Sequence, residues 1–111
     1  MRDKKLNILV TGANGQLGRC LRDASAHSPH RFVFSDICDA PGLETVHLDV
    51  CDRGAADIVA DSENIDIIVN CAGYTNVDMA EEDMHLADML NRQAAANLAA
   101  TAVRRGALLI H

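Results

Sequence analysis

The sequence contains no tryptophan, two prolines and a single tyrosine, Tyr74. So little proline, in a chain that is 49% hydrophobic and 23% charged, excludes a disordered segment. Positive charge is also scarce, with 10 Lys and Arg against 16 Asp and Glu and a net charge of −6. Its only clusters are Arg2, Lys4 and Lys5 at one end and Arg104 with Arg105 at the other. That argues against nucleic-acid binding through a basic face. No apolar run approaches the roughly 20 residues that span a bilayer. The opening "MRDKKLNILV" is charged and then strand-like, unlike a signal peptide. Cys20, Cys38, Cys51 and Cys71 form no Cys-x-x-Cys pair, so zinc or dithiol chemistry has no support. They read as reduced thiols, and the expected setting is cytoplasmic. Repeats and linkers are absent, and 111 residues suit one domain.

Five short apolar runs stand out: "LNILVT" (6–11), "RFVFSD" (31–36), "TVHLDV" (45–50), "IDIIVNCA" (65–72) and "ALLIH" (107–111). The first and fourth are nearly continuous in apolarity, as strands buried on both faces should be. Helical spacing lies between them. Leu17, Cys20, Leu21 and Ala24 mark one stripe, and Ala55, Ile58 and Val59 another, behind Asp52 at an N-cap position. Leu86, Met89, Leu90, Ala94, Leu98 and Ala102 mark a long third helix that should end near Gly106. "SDICDAPGLE" has no such period and reads as a loop. The resulting order, β-α-β-β-α-β-α-β, implies an α/β fold with a mainly parallel sheet covered on both faces. The first strand then lies near the centre, with a nucleotide crevice at its carboxyl end.

"TGANGQLG" (11–18) follows that strand and opens a helix, the context a phosphate-binding loop needs. Gly12 permits the turn out of the strand, Gly15 lets backbone approach a pyrophosphate, and Gly18 lets the helix pack on the sheet. Asn14, Gln16 and Leu17 complete the loop, and the helix amino end adds free N–H groups. The Gly-x-x-Gly-x-x-Gly spacing is one residue longer in the middle than Gly-x-Gly-x-x-Gly, and it lacks the Gly-Lys-Ser/Thr ending of a P-loop. Asp36 ends the second strand, followed by Ile37, where an acid accepts hydrogen bonds from ribose hydroxyls. It repels a 2′-phosphate unless a cation such as Arg19 compensates, which favours NAD(H) over NADP(H). Asp49 and Val50 fall beside the adenine in such a fold; equally, Asp49 or Asp52 caps the next helix. Cys71, Ala72 and Gly73 are small and let a cofactor lie against backbone, and Tyr74 could line its nicotinamide half. Asp78, Glu81, Glu82, Asp83 and His85 read as the solvated first turn of a helix rather than a metal site. Asn91, on or near the buried stripe, is either a structural hydrogen-bonder or part of a site.

These residues resemble the extended short-chain dehydrogenase/reductases, whose loop is Thr-Gly-x-x-Gly-x-x-Gly. Within them "NILVTGANGQLG", "VNCAGYTNVDMAEED", Leu90-Asn91 and "GALLIH" are most similar to the dTDP-4-dehydrorhamnose reductases. Cys71 and Gly73 depart from that pattern only by other small residues. The resemblance implies a Rossmann-type doubly wound parallel sheet, here cut after its fifth strand. It implies NAD(P)H-dependent reduction of dTDP-6-deoxy-L-lyxo-4-hexulose to dTDP-L-rhamnose, with a dTDP-sugar as partner. Gly15, Gln16 and Leu17 would hold the pyrophosphate, Asp36 the ribose, and Asp49 with Val50 the adenine. Cys71, Ala72, Gly73 and Tyr74 would border the ribose and nicotinamide, with Asn91 supporting the active site. The family's catalytic Ser/Thr, its Tyr-x-x-x-Lys pair and its substrate domain are expected beyond "LLIH". Residues 1–111 alone are therefore expected to bind dinucleotide weakly, to lack reductase activity, and to self-associate through the terminal strand. A non-catalytic module like the methionine adenosyltransferase β subunit, or a nucleotide-sugar epimerase or dehydratase, are the alternatives.

Overall fold

The continuous apolarity of 6–11 becomes β1 (Asn7–Thr11), in which Leu9, Val10 and Thr11 are wholly buried in a computed structural model describing residues 4–73 and 81–111. Beside it lie β2 (Arg31–Asp36) and β4 (Ile67–Asn70), then β3 (Val46–His47) outside β2 and β5 (Leu108–Ile110) outside β4. The order β3-β2-β1-β4-β5 is parallel throughout, with Leu9 opposite Val33 on one side and Ile68 on the other. The strand breadth differs from the runs mainly at β3. The Leu48 amide makes the last ladder bond, to the Asp36 carbonyl (3.0 Å), and the chain then turns at Asp49, which accepts from the Cys51 and Asp52 amides.

Three helices cover the sheet: α1 (Gln16–Ser25), α2 (Arg53–Ser62) and α3 (Glu81–Arg105). Ile8, Val10 and Ala13 form one core layer with Leu21, Phe32 and Phe34. Leu9, Val33, Ile65, Ile68, Ala56, Ala60, Ala94, Leu98 and Ala102 are in the other, on the side of α2 and α3. Each large aliphatic buried there contributes roughly 1.5–3 kcal/mol. Asp52 caps α2, its carboxylate accepting from Gly54 and Ala55 amides. Gly106 ends α3 at φ +67°, a left-handed turn that lets the Ala107 amide reach the Ala102 carbonyl at 2.8 Å.

The expected helix stripes need correction. Leu17, Cys20 and Ala24 are exposed, and α1 buries Gly18 instead. On α2, Ile58 is exposed while Ala56 and Ala60 face the sheet. On α3, Leu86 and Met89 are exposed and the buried line starts at Ala87. That line includes two polar residues, Asn97 and Thr101. The Thr101 hydroxyl donates to Asp57 of α2 at 2.7 Å, beside ion pairs from Arg104 and Arg105 to Asp61. Among the described residues no helix is long and apolar enough to cross a membrane.

Candidate functional site: a cleft at the carboxyl ends of the strands

At the end of β1 the chain turns through Gly12 at φ +63°, and a Cβ there would lie 2.5 Å from the backbone of Ala72. Only glycine fits so close an approach of two chains. The Ala13 amide donates to the Ser35 carbonyl (2.9 Å) and the Gly15 amide to the Gly12 carbonyl (3.2 Å). The Arg19 amide then returns to Gly15 (2.9 Å) and starts α1. Gly15 at the N-cap is extended, and no side chain caps the helix. The amides of its first turn therefore carry the positive end of the dipole with no side-chain cap, next to Gly15 in the cleft wall. Gly18 is buried under Ala13, whose Cα would be 2.4 Å from an added Cβ.

The Asp36 carboxylate is fixed by two backbone donors, Asn14 N–H at 3.0 Å and Cys38 N–H at 3.0 Å. Asn14 does more. Its side-chain amide donates to the Cys38 carbonyl (2.7 Å) and the Thr45 hydroxyl (3.2 Å), while its Oδ1 accepts from Arg22 (3.2 Å). The glycine loop is thus bolted to segment 37–45. Asp49 accepts the Cys51 amide at 2.9 Å in a tight local turn, placing Leu48, Asp49 and Val50 against the cleft. From β4, Asn70 Oδ1 accepts from the Thr11 hydroxyl (2.7 Å) and the Ala72 amide (3.1 Å). Cys71 is half-buried, and that burial pushes its thiol pKa up.

One cleft is the result. Its walls come from the glycine loop (Gly12, Gly15), the end of β2 (Asp36, Ile37), the turn after β3 (Leu48, Asp49, Val50) and the exit of β4 (Cys71, Ala72, Gly73). Nine of the residues expected from sequence meet there. Four do not line it: the Asn14 side chain braces the loops, Gln16 and Leu17 are exposed on α1, and Gly18 lies beneath. Asn91 sits behind Gly73, its Oδ1 3.9 Å from where a Cβ would stand. Tyr74 and Asp78 lie outside the described residues. Leu48 and Asn70 were missed. For Asn70 a signal existed, an amide ending an otherwise apolar buried run.

The chain is 35% identical over 105 residues to the dTDP-4-dehydrorhamnose reductase of Mycolicibacterium smegmatis, covering 94% of this chain and 29% of that protein. A crystal structure of a dTDP-4-dehydrorhamnose reductase from Clostridium acetobutylicum superposes with a TM-score of 0.78 at 33% identity, over 94% of this chain and 34% of that one. A Bacillus anthracis dTDP-4-dehydrorhamnose reductase, solved in complex with NADP, gives 0.76 at 29% identity, over 96% and 35%. This chain thus spans about a third of the length of the relatives it matches. The match to the model for the RmlD substrate binding domain covers residues 6–111, and the chain belongs to that family.

Proposed function

We propose that residues 1–111 are the N-terminal, cofactor-binding part of a Rossmann domain in a dTDP-4-dehydrorhamnose reductase. The observation that carries this is the single cleft joining an uncapped helix N-terminus, the Asp36 carboxylate and the Asp49–Val50 turn. The residues fit a dinucleotide. A Cβ on Gly15 would meet nothing closer than the Gly12 carbonyl at 3.4 Å, and one on Gly73 nothing closer than 3.9 Å. Packing therefore demands glycine at neither position, and the space both leave opens on the cleft. Gly15 and the first-turn amides of α1 hold the pyrophosphate, and Asp36 accepts from ribose hydroxyls. Asp49 and Val50 receive the adenine, and Cys71–Gly73 border the nicotinamide half. NAD(P)H supplies hydride for the 4-keto group of a dTDP-sugar. The 111 residues contain no Tyr-x-x-x-Lys, so a proton donor of that kind has to come from outside them.

The test pairs two glycines. Gly15→Val is expected to fold, losing about 1 kcal/mol at the N-cap, because Gly15 has φ −78° and an added Cβ clears its neighbours, yet to lose NADH and NADPH binding in calorimetry. Gly18→Ala is expected to lose roughly 1–3 kcal/mol of stability through overpacking. Equal NADH affinity in Gly15→Val and wild type overturns the proposal.

A further inference from the structure

We propose that Asn97, which lies outside the cleft lining, is a positioning residue for the base end of the cleft, acting through the Val50 carbonyl; this rests on the dinucleotide reading above. Asn97 is 3% exposed and sits among the buried Ala94, Leu98 and Ala102, in a line whose other polar residue, Thr101, bonds to Asp57 instead. A buried amide there is costly unless it is bonded, and leucine would fill the same space. Its Nδ2 donates to the Val50 carbonyl at 3.0 Å, across 47 positions of sequence. Its Oδ1 accepts from Gln93 Nε2 at 2.9 Å, which fixes the orientation of the amide. Near the preceding turns of α3, the Cys51 thiol meets the Leu90 carbonyl at 3.5 Å. Two adjacent residues of the β3–α2 turn are thereby gripped by one helix.

Val50 and Asp49 line the cleft, whereas Asn97 and Gln93 do not. The Asp49 carboxylate is oriented by the turn, since one oxygen takes the Cys51 amide and the other remains for a donor on the ligand. Without Asn97 the Val50 carbonyl is a buried acceptor with its donor removed, and the turn must shift to satisfy it. The shift moves Asp49 and Val50 relative to Gly15 and Asp36, which are anchored separately through β1 and β2. Recognition of the base is lost before recognition of the diphosphate.

ADP and IDP separate these effects, because they share ribose and diphosphate and differ at the base position that donates to Asp49. Wild type is expected to prefer ADP by about 10-fold or more, the worth of one charge-assisted hydrogen bond. In Asn97→Ala the preference should fall below about 3-fold, with IDP affinity within about 2-fold of wild type. Gln93 is exposed, so Gln93→Ala keeps the fold and should give an intermediate preference with an unchanged Tm. If both nucleotides weaken in equal proportion, if the preference survives in both variants, or if wild type does not discriminate, the inference is overturned. Should Asn97→Ala not fold, an unchanged ratio in Gln93→Ala overturns it. Failure of wild type to bind either nucleotide strikes the dinucleotide reading itself, and this inference with it.

Discussion

A Cβ on Gly18 would press into the Ala13 backbone at 2.4 Å, while Gly15, three residues earlier, has room for one. Single glycines of one loop thus separate into one that packing demands and one that it does not. Cys71 can be read in the same way. Its thiol lies between β4 and the cleft, and burial raises its pKa, so at neutral pH it is held as the neutral, weakly nucleophilic form. Iodoacetamide is expected to modify the exposed Cys20 and Cys38 first. The Cys71 rate should climb only at pH above the ordinary thiol range, and saturating NADH should slow it further. Peptide mass spectrometry across pH reads this; Cys71 reacting as fast as Cys38 at pH 7 would contradict it. That Gly12, Gly15, Asp36 and Asp49 meet in one cleft was legible in the sequence, because each follows a strand and parallel strands bring their carboxyl ends together. The role of Asn14 was not, since its side chain serves Cys38, Thr45 and Arg22 across long sequence separations.

Among the elements, the strands were legible because parallel strands buried on both faces must be apolar without interruption. The helix faces were misread for a physical reason. Large side chains at helical spacing suggest the buried stripe, but α2 and α3 sit close to the sheet and to each other, and alanines line that contact. Ile58 and Met89 were left outside. The α2–α3 contact is closed at its outer end by Asp57 and Asp61 against Thr101, Arg104 and Arg105. The Thr101 hydroxyl first, then Arg104, lowers the Asp57 pKa; hydrogen bonds from Arg104 and Arg105 lower that of Asp61. A carboxylate with a depressed folded pKa stabilises the fold above its unfolded pKa, and this is lost as pH falls through the folded value. The clamp should therefore be intact at neutral pH and fail below about pH 4. Asp57→Asn with Asp61→Asn should lower the urea midpoint modestly at pH 7, since the groups are exposed. Once the pH is below the depressed folded values of both aspartates, the variant and wild type should coincide. A gap that persists in acid would mean that the aspartates act through packing rather than charge.

Across the whole molecule, the sheet ends at β3 on one side and β5 on the other. Leu108 and Ile110 of β5 are exposed (59% and 44%), whereas Leu109 packs against the core. An apolar outer strand is a template for pairing with another chain, so the 111 residues are expected to self-associate. Because Leu108 is exposed and Leu109 is packed on the core, Leu108→Lys should shift sedimentation toward monomer without lowering Tm. A wild type that stays monomeric at high concentration would refute the prediction. The bracket around Asn14 has a different consequence. Its backbone amide holds Asp36 and its side chain holds Cys38 and Thr45, so the glycine-loop and Asp36 walls of the cleft are one mechanical body. A ligand half that stills one wall stills the other, and the ordering entropy is incurred once for both. If the cleft takes a dinucleotide as proposed, its recognition is cooperative within a single ligand, the joined molecule binding more tightly than its two separate halves would suggest.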